Sequence, residues 1–538
     1  MERFFTLHQS PLYQKLRESL SNGSFGDIIS ASVDPMDYQN AEDFRRDYLA
    51  AEIFSKFDSF DLGIDRSSVA IEKALDCEYT MYWVNRSLPH LRGDVNSRLT
   101  PHSVLFTAAR KISKVLGSFD LDECIQLANW GPGATVSLPR TKGDAYYKLE
   151  NQGNTASPLM RPYIEALDKF WPDIPVTVTY VPGSRMITVP KSAKTDRVIA
   201  IEPDWNMFFQ KGVGAMIRSR LSRCTGLLRS DAQERNQNLA RLASIEGSTL
   251  ATVDLSSASD SISLELVCQL LPADWFSHLF NMRSPCFQLD GKWYQNEKFS
   301  SMGNGYTFEL ETLLFWGLSA AIVDLVQPLD RTVSVYGDDI IISSETRDLL
   351  EETFSSVGFT VNKKKSFFEG PFRESCGKHF FRGSDVSPIY LRTPLRTVFD
   401  AYSCLNNIRR ISTLPYGLDP FLKPIYDWLL DLIPQRYKLY VPSSLPSDSG
   451  IHADFDQVLP NIKVKRGGSE VRFRVPYFRF FRRPNEKTSW GILKKSLFIL
   501  EHGSEYPEFG VNPLSISGRY VLSYTTVRRW DCSGPFLE

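Results

Sequence analysis

With 538 residues, 42% hydrophobic and 12% aromatic, the chain is too long for one simple core and too apolar for disorder, so several packed subdomains are expected. A formal net charge of −1 excludes a generic polyanion binder, and any nucleic-acid surface has to come from local segregation of charge. Eight scattered cysteines without a C-x-x-C pair point to reduced thiols rather than to disulfides or a zinc site. The opening residues Met1 to His8 are too few and too polar for a signal peptide. The longest apolar stretch, around Leu313 to Val326, contains Ser319 and Asp324 and falls short of a membrane span. The expectation is a soluble, intracellular chain.

In chain order, the first hundred residues read as mainly helical, and Trp130-Gly-Pro-Gly-Ala-Thr135 as a loop before a polar, turn-rich segment reaching about Pro158. Val176–Tyr180 and Met186–Val189 read as strands around a Pro-Gly turn. Residues 205–221 read as a helix that Gly212 and Gly214 weaken. Leu250–Val253 reads as a buried strand, followed by a helix that stops near Pro272. Leu310, Leu314, Leu318, Ala321 and Leu325 fall on one helical face ending at Pro328. Thr332–Val335 and Ile340–Ser343 flank Gly337-Asp338 and read as a β-hairpin. A last subdomain begins near residue 396.

The hairpin presents Asp338 and Asp339 on a rigid support, and paired carboxylates suit Mg²⁺, a hard cation with oxygen ligands. An Asp-rich turn is also a common surface feature. Asp254, at the exit of the strand Leu250–Val253, is placed to supply a third carboxylate. Three carboxylates could hold two ions about 3.5–4 Å apart, the arrangement that activates a hydroxyl and stabilises a leaving oxygen in phosphoryl transfer. Asp254 reads equally as an N-cap for the next helix, and Asp260 still more so.

Ser300 to Gly305 precede the long helix, where small residues let backbone amides approach a polar ligand, or simply form a loop and cap. Lys191, Lys194 and Arg197 stand at three-residue spacing, suited to a triphosphate or to a charged edge strand. Lys363-Lys364-Lys365 is a candidate proton donor to leaving pyrophosphate, or a solvated face. Residues 463–495 carry eleven Lys/Arg against two acids, interleaved with Phe473, Tyr477, Phe478, Phe480, Phe481 and Trp490. That alternation fits nucleic-acid backbones and unstacked bases, and equally a local core under a cationic strand pair.

Together these segments resemble a polymerase family. Asp254-x5-Asp260, Ser301-Met-Gly-Asn304-Gly, Tyr336-Gly-Asp338-Asp339 and Lys363-Lys-Lys365 follow the order of motifs A, B, C and D. The basic run Lys191 to Arg197 lies upstream, at the position of fingers motif F. The phrases Ala251 to Ile262, Ser301 to Leu310 and Gly370 to His379 are similar to those of the replicase catalytic subunits of the single-stranded RNA bacteriophages, the leviviruses. The likeness is strong from about Val189 to Tyr390 and weak at both ends.

The resemblance implies an α+β, right-handed fingers–palm–thumb polymerase whose antiparallel palm sheet carries the Gly-Asp-Asp hairpin. Its implied divisions are a helical extension at 1–95, fingers at 96–248, a palm at 249–395 and a thumb with basic region at 396–538. It implies RNA-directed RNA polymerisation with two Mg²⁺, Mn²⁺ as a substitute, ribonucleoside triphosphates, and template and product RNA. Asp254, Asp338 and Asp339 are the implied catalytic metal ligands. Asp260 and Asn304 would lie near the ribose 2′-hydroxyl, Ser301 and Gly303 near the template–nucleotide pair, and Lys191, Lys194 and Arg197 on the triphosphate. Lys364 is the candidate general acid. Host elongation factors Tu and Ts and a ribosomal RNA-binding protein are implied partners, in the cytoplasm of an infected bacterium and without a membrane. A reverse transcriptase shares the palm but carries a bulky aromatic five positions after the motif A aspartate, whereas Ser259 is small here. A non-catalytic RNA-binding protein relying on the C-terminal basic–aromatic stretch is the other alternative.

Overall fold

The computed structural model describes residues 1–453 apart from 95–96, 152, 171–177 and 415–416, and then 463–467, 470–482 and 518–527. The first hundred residues are helical as expected, with Pro11–Ser21, Ala41–Glu52 and Arg66–Ser87 the longest elements. Asn40 and Asp65 accept backbone N–H bonds at two of their N-termini, satisfying donors that have no partner within the helix. The apolar residues of the first sixty positions do not make a core of their own. Phe5, Tyr13, Phe54 and Phe57 pack with Tyr402, Leu405, Ile425 and Leu429 of the helices Val398–Ile411 and Lys423–Leu432.

The largest core surrounds the helix Thr307–Val326. The one-sided apolar face expected for it is too narrow: Leu310, Leu313, Leu314, Phe315, Leu318, Ala321 and Ile322 are all fully buried. Pro101–Leu116 and Asp204–Thr225 pack against it, so an all-round apolar sequence serves as the spine of the core. Asp204–Thr225 runs unbroken through Gly212, where a side chain would meet the Cys124 carbonyl at 2.3 Å, so close helix contact explains that residue. The segment expected to be turns up to Pro158 contains a short helix, Ala145–Glu150, and buried Thr155–Ala156. Of the strand expected at 176–180, Thr179–Tyr180 is formed, while 176 and 177 lie outside the described residues.

Two sheets frame the site. In one, Asp339–Ser343 lies between Leu250–Val253 and Ser334–Tyr336, antiparallel to both. Ile340 faces Val253 and Ile341 faces Thr252 in register, and the hairpin closes with Asp339 opposite Tyr336. In the other, the hairpin of Gly183–Pro190 and Asp196–Ile201 extends to Cys286–Leu289 and Lys292–Gln295. The architecture is mixed α+β. Beyond residue 453, Lys463–Gly467, Glu470–Arg482 and Gly518–Val527 form an antiparallel sheet, and 483–495 of the basic–aromatic stretch lie outside the described residues. Among the described residues, no helix is long and apolar enough to cross a membrane.

Candidate active site

The hairpin turn is fixed from beneath. Gly337 has φ +63°, its N–H donates to Thr312 Oγ1 at 2.9 Å, and an added Cβ would meet Phe308 at 2.8 Å. Glycine is therefore required both by conformation and by space. Asn236 ties the two hairpin strands to the helix Ala232–Ala243, donating to the Asp339 carbonyl and accepting from Ser334 Oγ. Asp338 is exposed at the tip and Asp339 is half-buried.

Continuing the antiparallel count past the Ile340–Val253 pair brings Asp254 opposite Asp339. Asp254 is not a helix cap. It joins the strands Leu250–Val253 and Leu255–Ser256, and the helix that follows is capped by Ser263. Asn362 donates from Nδ2 to Asp254 Oδ2 at 2.8 Å and from its backbone N–H to the Asp254 carbonyl. Ser366 Oγ accepts the Asp254 N–H at 3.1 Å. Neither residue was singled out from the sequence. The one available cue was Asn362 following the strand residues Thr360–Val361.

Asp254 and Asp338 line two cavities at once, as does Lys365. The first, about 450 Å³, has Lys73, Lys191 and Arg197 on its wall, with Ser259 and Asp260 below. The second, about 430 Å³, shares Lys56 with the first and adds Asp339, Tyr48, Glu52, Glu374 and Tyr390. Burial, followed by the neighbouring Asp338 charge, pushes Asp339 up to about 6. Burial likewise raises Asp254, against the pull of Lys365 and Asn362. Burial lowers Lys191, reinforced by Arg197 and Lys73. For Lys365 burial is the largest single influence and lowers it, yet Glu374, Asp254, Asp338 and Asp339 together outweigh it and raise it.

The three aspartates fit a hard divalent cation by donor chemistry, since they are all carboxylates and their crowding is relieved by positive charge. They do not close into a preformed cluster. Among the described residues, no three His, Cys, Asp or Glu side chains are so arranged.

The remaining expected residues are distributed unevenly. Lys191 and Arg197 reach the basic cavity, whereas Lys194 donates to Ser30 Oγ at 2.9 Å and is absent from its lining. Lys365 rather than Lys364 is flanked by the carboxylates, with Lys364 on the second cavity alone. Asp260 is not a plain cap either, because Lys298 Nζ donates to its Oδ1 at 2.7 Å.

Asn304 lines a third cavity with Gly131, Lys148 and Lys211, so it and Asp260 do not share a wall. Its Oδ1 is occupied by the Tyr306 N–H at 3.0 Å. Gly303, with φ +113°, lies on that third cavity and backs onto Asp196–Ile201, where a Cβ would stand 2.2 Å from the Ala200 carbonyl. Ser301 accepts from Thr307 Oγ1 and the Asn304 N–H through its carbonyl and lines none of the three cavities.

Residues 11–472 match the family described as RNA replicase, beta-chain. The chain belongs to that family. It is 44% identical over 405 residues to the RNA-directed RNA polymerase subunit beta of Enterobacteria phage SP, covering 74% of this chain and 70% of the relative. Against the same subunit of Escherichia virus Qbeta, identity is 40% over 462 residues, covering 85% and 77%. Among solved structures, the BmCPV RNA-dependent RNA polymerase at elongation state aligns at 13% identity and TM-score 0.38, over 62% of this chain and 33% of that one. The protein is an RNA-directed RNA polymerase that replicates a phage RNA genome. Divalent-metal use, an RNA template and nucleoside triphosphates come with that activity.

Proposed function

We propose that nucleotidyl transfer takes place between the two cavities that share Asp254 and Asp338. The observation that carries this reading is their position on both linings, with Lys73, Lys191 and Arg197 on the first cavity alone. Lys191, Arg197 and Lys73 would hold the triphosphate in the basic cavity, and Ser259 leaves room for a 2′-hydroxyl beside Asp260. The growing RNA end would approach through the second cavity, past Tyr48 and Tyr390. Asp254, Asp338 and Asp339 would hold two Mg²⁺, or Mn²⁺ in substitution. Such ions, when bound, supply charge for the attacking hydroxyl and the leaving oxygen. Asn362 and Ser366 keep Asp254 oriented. Lys365, already charged by its acidic neighbours, is better placed than Lys364 to give a proton to departing pyrophosphate.

In this reading the three-stranded sheet with its Gly-Asp-Asp hairpin is the polymerase palm, spanning 249–395. Fingers fill 96–248, the thumb and basic region 396–538, and 1–95 is a helical extension. Ser301, Gly303 and Asn304 would approach the template–nucleotide pair from the third cavity, with Lys194 at the fingers' edge. Host elongation factors Tu and Ts and a ribosomal RNA-binding protein are proposed partners in the host cytoplasm, resting on the family resemblance. Copurification with tagged chain from infected cells tests them.

The deciding assay compares ribo- and deoxyribonucleotide incorporation on an RNA template, with and without Mg²⁺ and host extract. Mg²⁺-dependent incorporation of ribonucleotides is expected. Preference for deoxyribonucleotides would point to reverse transcription. Salt-sensitive RNA binding with no incorporation would point to a binding protein alone.

A further inference from the structure

One buried cation adjoins the basic cavity without lining it. Lys298 is 2% exposed, and its ammonium donates to Asp260 Oδ1 at 2.7 Å and lies 3.6 Å from Glu78 Oε1. Glu78 comes from the distant helix Arg66–Ser87, and its Oε2 accepts the N–H groups of Glu297 and Lys298 at 2.7 and 3.1 Å. The segment bearing Lys298 is itself pinned beside the Asp260 turn, since Phe299 N–H donates to the Ile262 carbonyl and Lys298 bridges Ser263. Asp260 meanwhile lines the cavity with Ser259, Arg197, Asp254 and Asp338.

We propose that Lys298 is a sugar-selectivity positioning residue, fixing the Asp260 carboxylate as an ionised acceptor for the ribose 2′-hydroxyl of the incoming nucleotide. This rests on the reading of that cavity as the nucleotide site. A carboxylate held by an ammonium on one oxygen keeps its charge and orientation and has only acceptor capacity to offer a ligand. A hydroxyl donor satisfies it, and a 2′-deoxy sugar leaves it facing nothing, which is how a polar site rejects an analogue lacking one hydroxyl. Asn304, with its Oδ1 turned to the Tyr306 N–H, does not perform this support.

The test is steady-state incorporation of one ribonucleotide and its 2′-deoxy counterpart by purified replicase with its host subunits, comparing parent, Lys298→Met, Lys298→Gln and Asp260→Asn. Lys298→Met is expected to raise KM for the ribonucleotide about tenfold while shifting the deoxy analogue by less than about twofold, narrowing discrimination. Lys298→Gln keeps a donor and most of the volume, and is expected to narrow it by a smaller factor. An equal fall in kcat for both nucleotides, with the ratio unchanged, would make Lys298 merely structural and overturn the inference. Should Lys298→Met fail to fold, the ratio for Lys298→Gln decides in the same way. If Asp260→Asn narrows discrimination and neither Lys298 variant does, the inference fails alone. If Asp260→Asn itself leaves the ratio unchanged, the sugar-site reading fails and takes the inference with it.

Discussion

At the scale of single residues, the carboxylates differ in what their loss should do. Asp338 is exposed at the hairpin tip, so Asp338→Asn should leave folding and RNA binding near the parent values. Incorporation should fall by more than about a thousandfold, because in the proposed site the missing charge would hold the metal needed for phosphoryl transfer. Retained synthesis in that variant would remove the two-metal assignment. Asn362 acts one step further out, through its 2.8 Å bond to Asp254. Asn362→Ala is expected to lower activity roughly 10–100-fold, with part of the loss recovered at raised Mg²⁺. A Mg²⁺ titration of the variant against the parent measures this, and an unchanged midpoint at unchanged rate would count against it. The aspartates were legible because their motif is local in sequence and its chemistry narrow. Lys298 was not, since its partners stand 38 and 220 positions away in sequence and no run of residues announces the meeting.

At the scale of elements, the hairpin and the buried strand beside it were readable from alternating apolar residues and a Gly-Asp turn. The helix Thr307–Val326 was readable in extent but not in burial, because the sequence cannot say how many neighbours will surround a helix. Its all-round enclosure predicts that Leu314→Ala costs about 2–5 kcal/mol, checked by denaturant unfolding. The strand pair Phe372–Ser375 and Lys378–Phe381 carries a different sensitivity. His379 is buried against Tyr48, and burial, with Lys56 and Lys365 adding to it, lowers its imidazole to about 3. Its folded value lies below its unfolded one, so between about pH 3 and 6.5 the unfolded chain binds the extra proton. The His379 contribution to stability should therefore rise with pH across that window, against the opposite contribution of raised carboxyls such as Asp339. His379→Phe should reduce the slope of stability against pH by about one proton in mid-window. An unchanged slope would show that other groups set it.

At the scale of the whole molecule, a near-neutral chain must gather its RNA-binding charge locally. Residues 463–482 contribute seven of the eleven cations in the basic stretch, on strands that pair antiparallel. Replacing Lys463, Lys465 and Arg466 by Gln should weaken RNA binding alike for all sequences. It should also flatten the salt dependence by about one unit of slope for each phosphate no longer neutralised. An unaltered slope would leave that sheet outside the RNA path. The C-terminal sequence announced its charge, but the packing of the opening helices was not legible, because their partners lie nearly four hundred positions downstream.

That packing sets a clock. Phe5, Tyr13 and Phe54 complete their core only when Leu405 and Ile425 to Leu429 have left the ribosome. At about 5–20 residues per second, some 370 residues of further synthesis take on the order of 20–70 s. Tyr48, Glu52 and Lys56, which wall the second cavity, belong to this waiting segment. The Gly-Asp-Asp hairpin therefore emerges before one wall of its own cavity is anchored. A nascent polymerase is expected to gain competence only once synthesis has passed Leu429, well after the hairpin itself has been made.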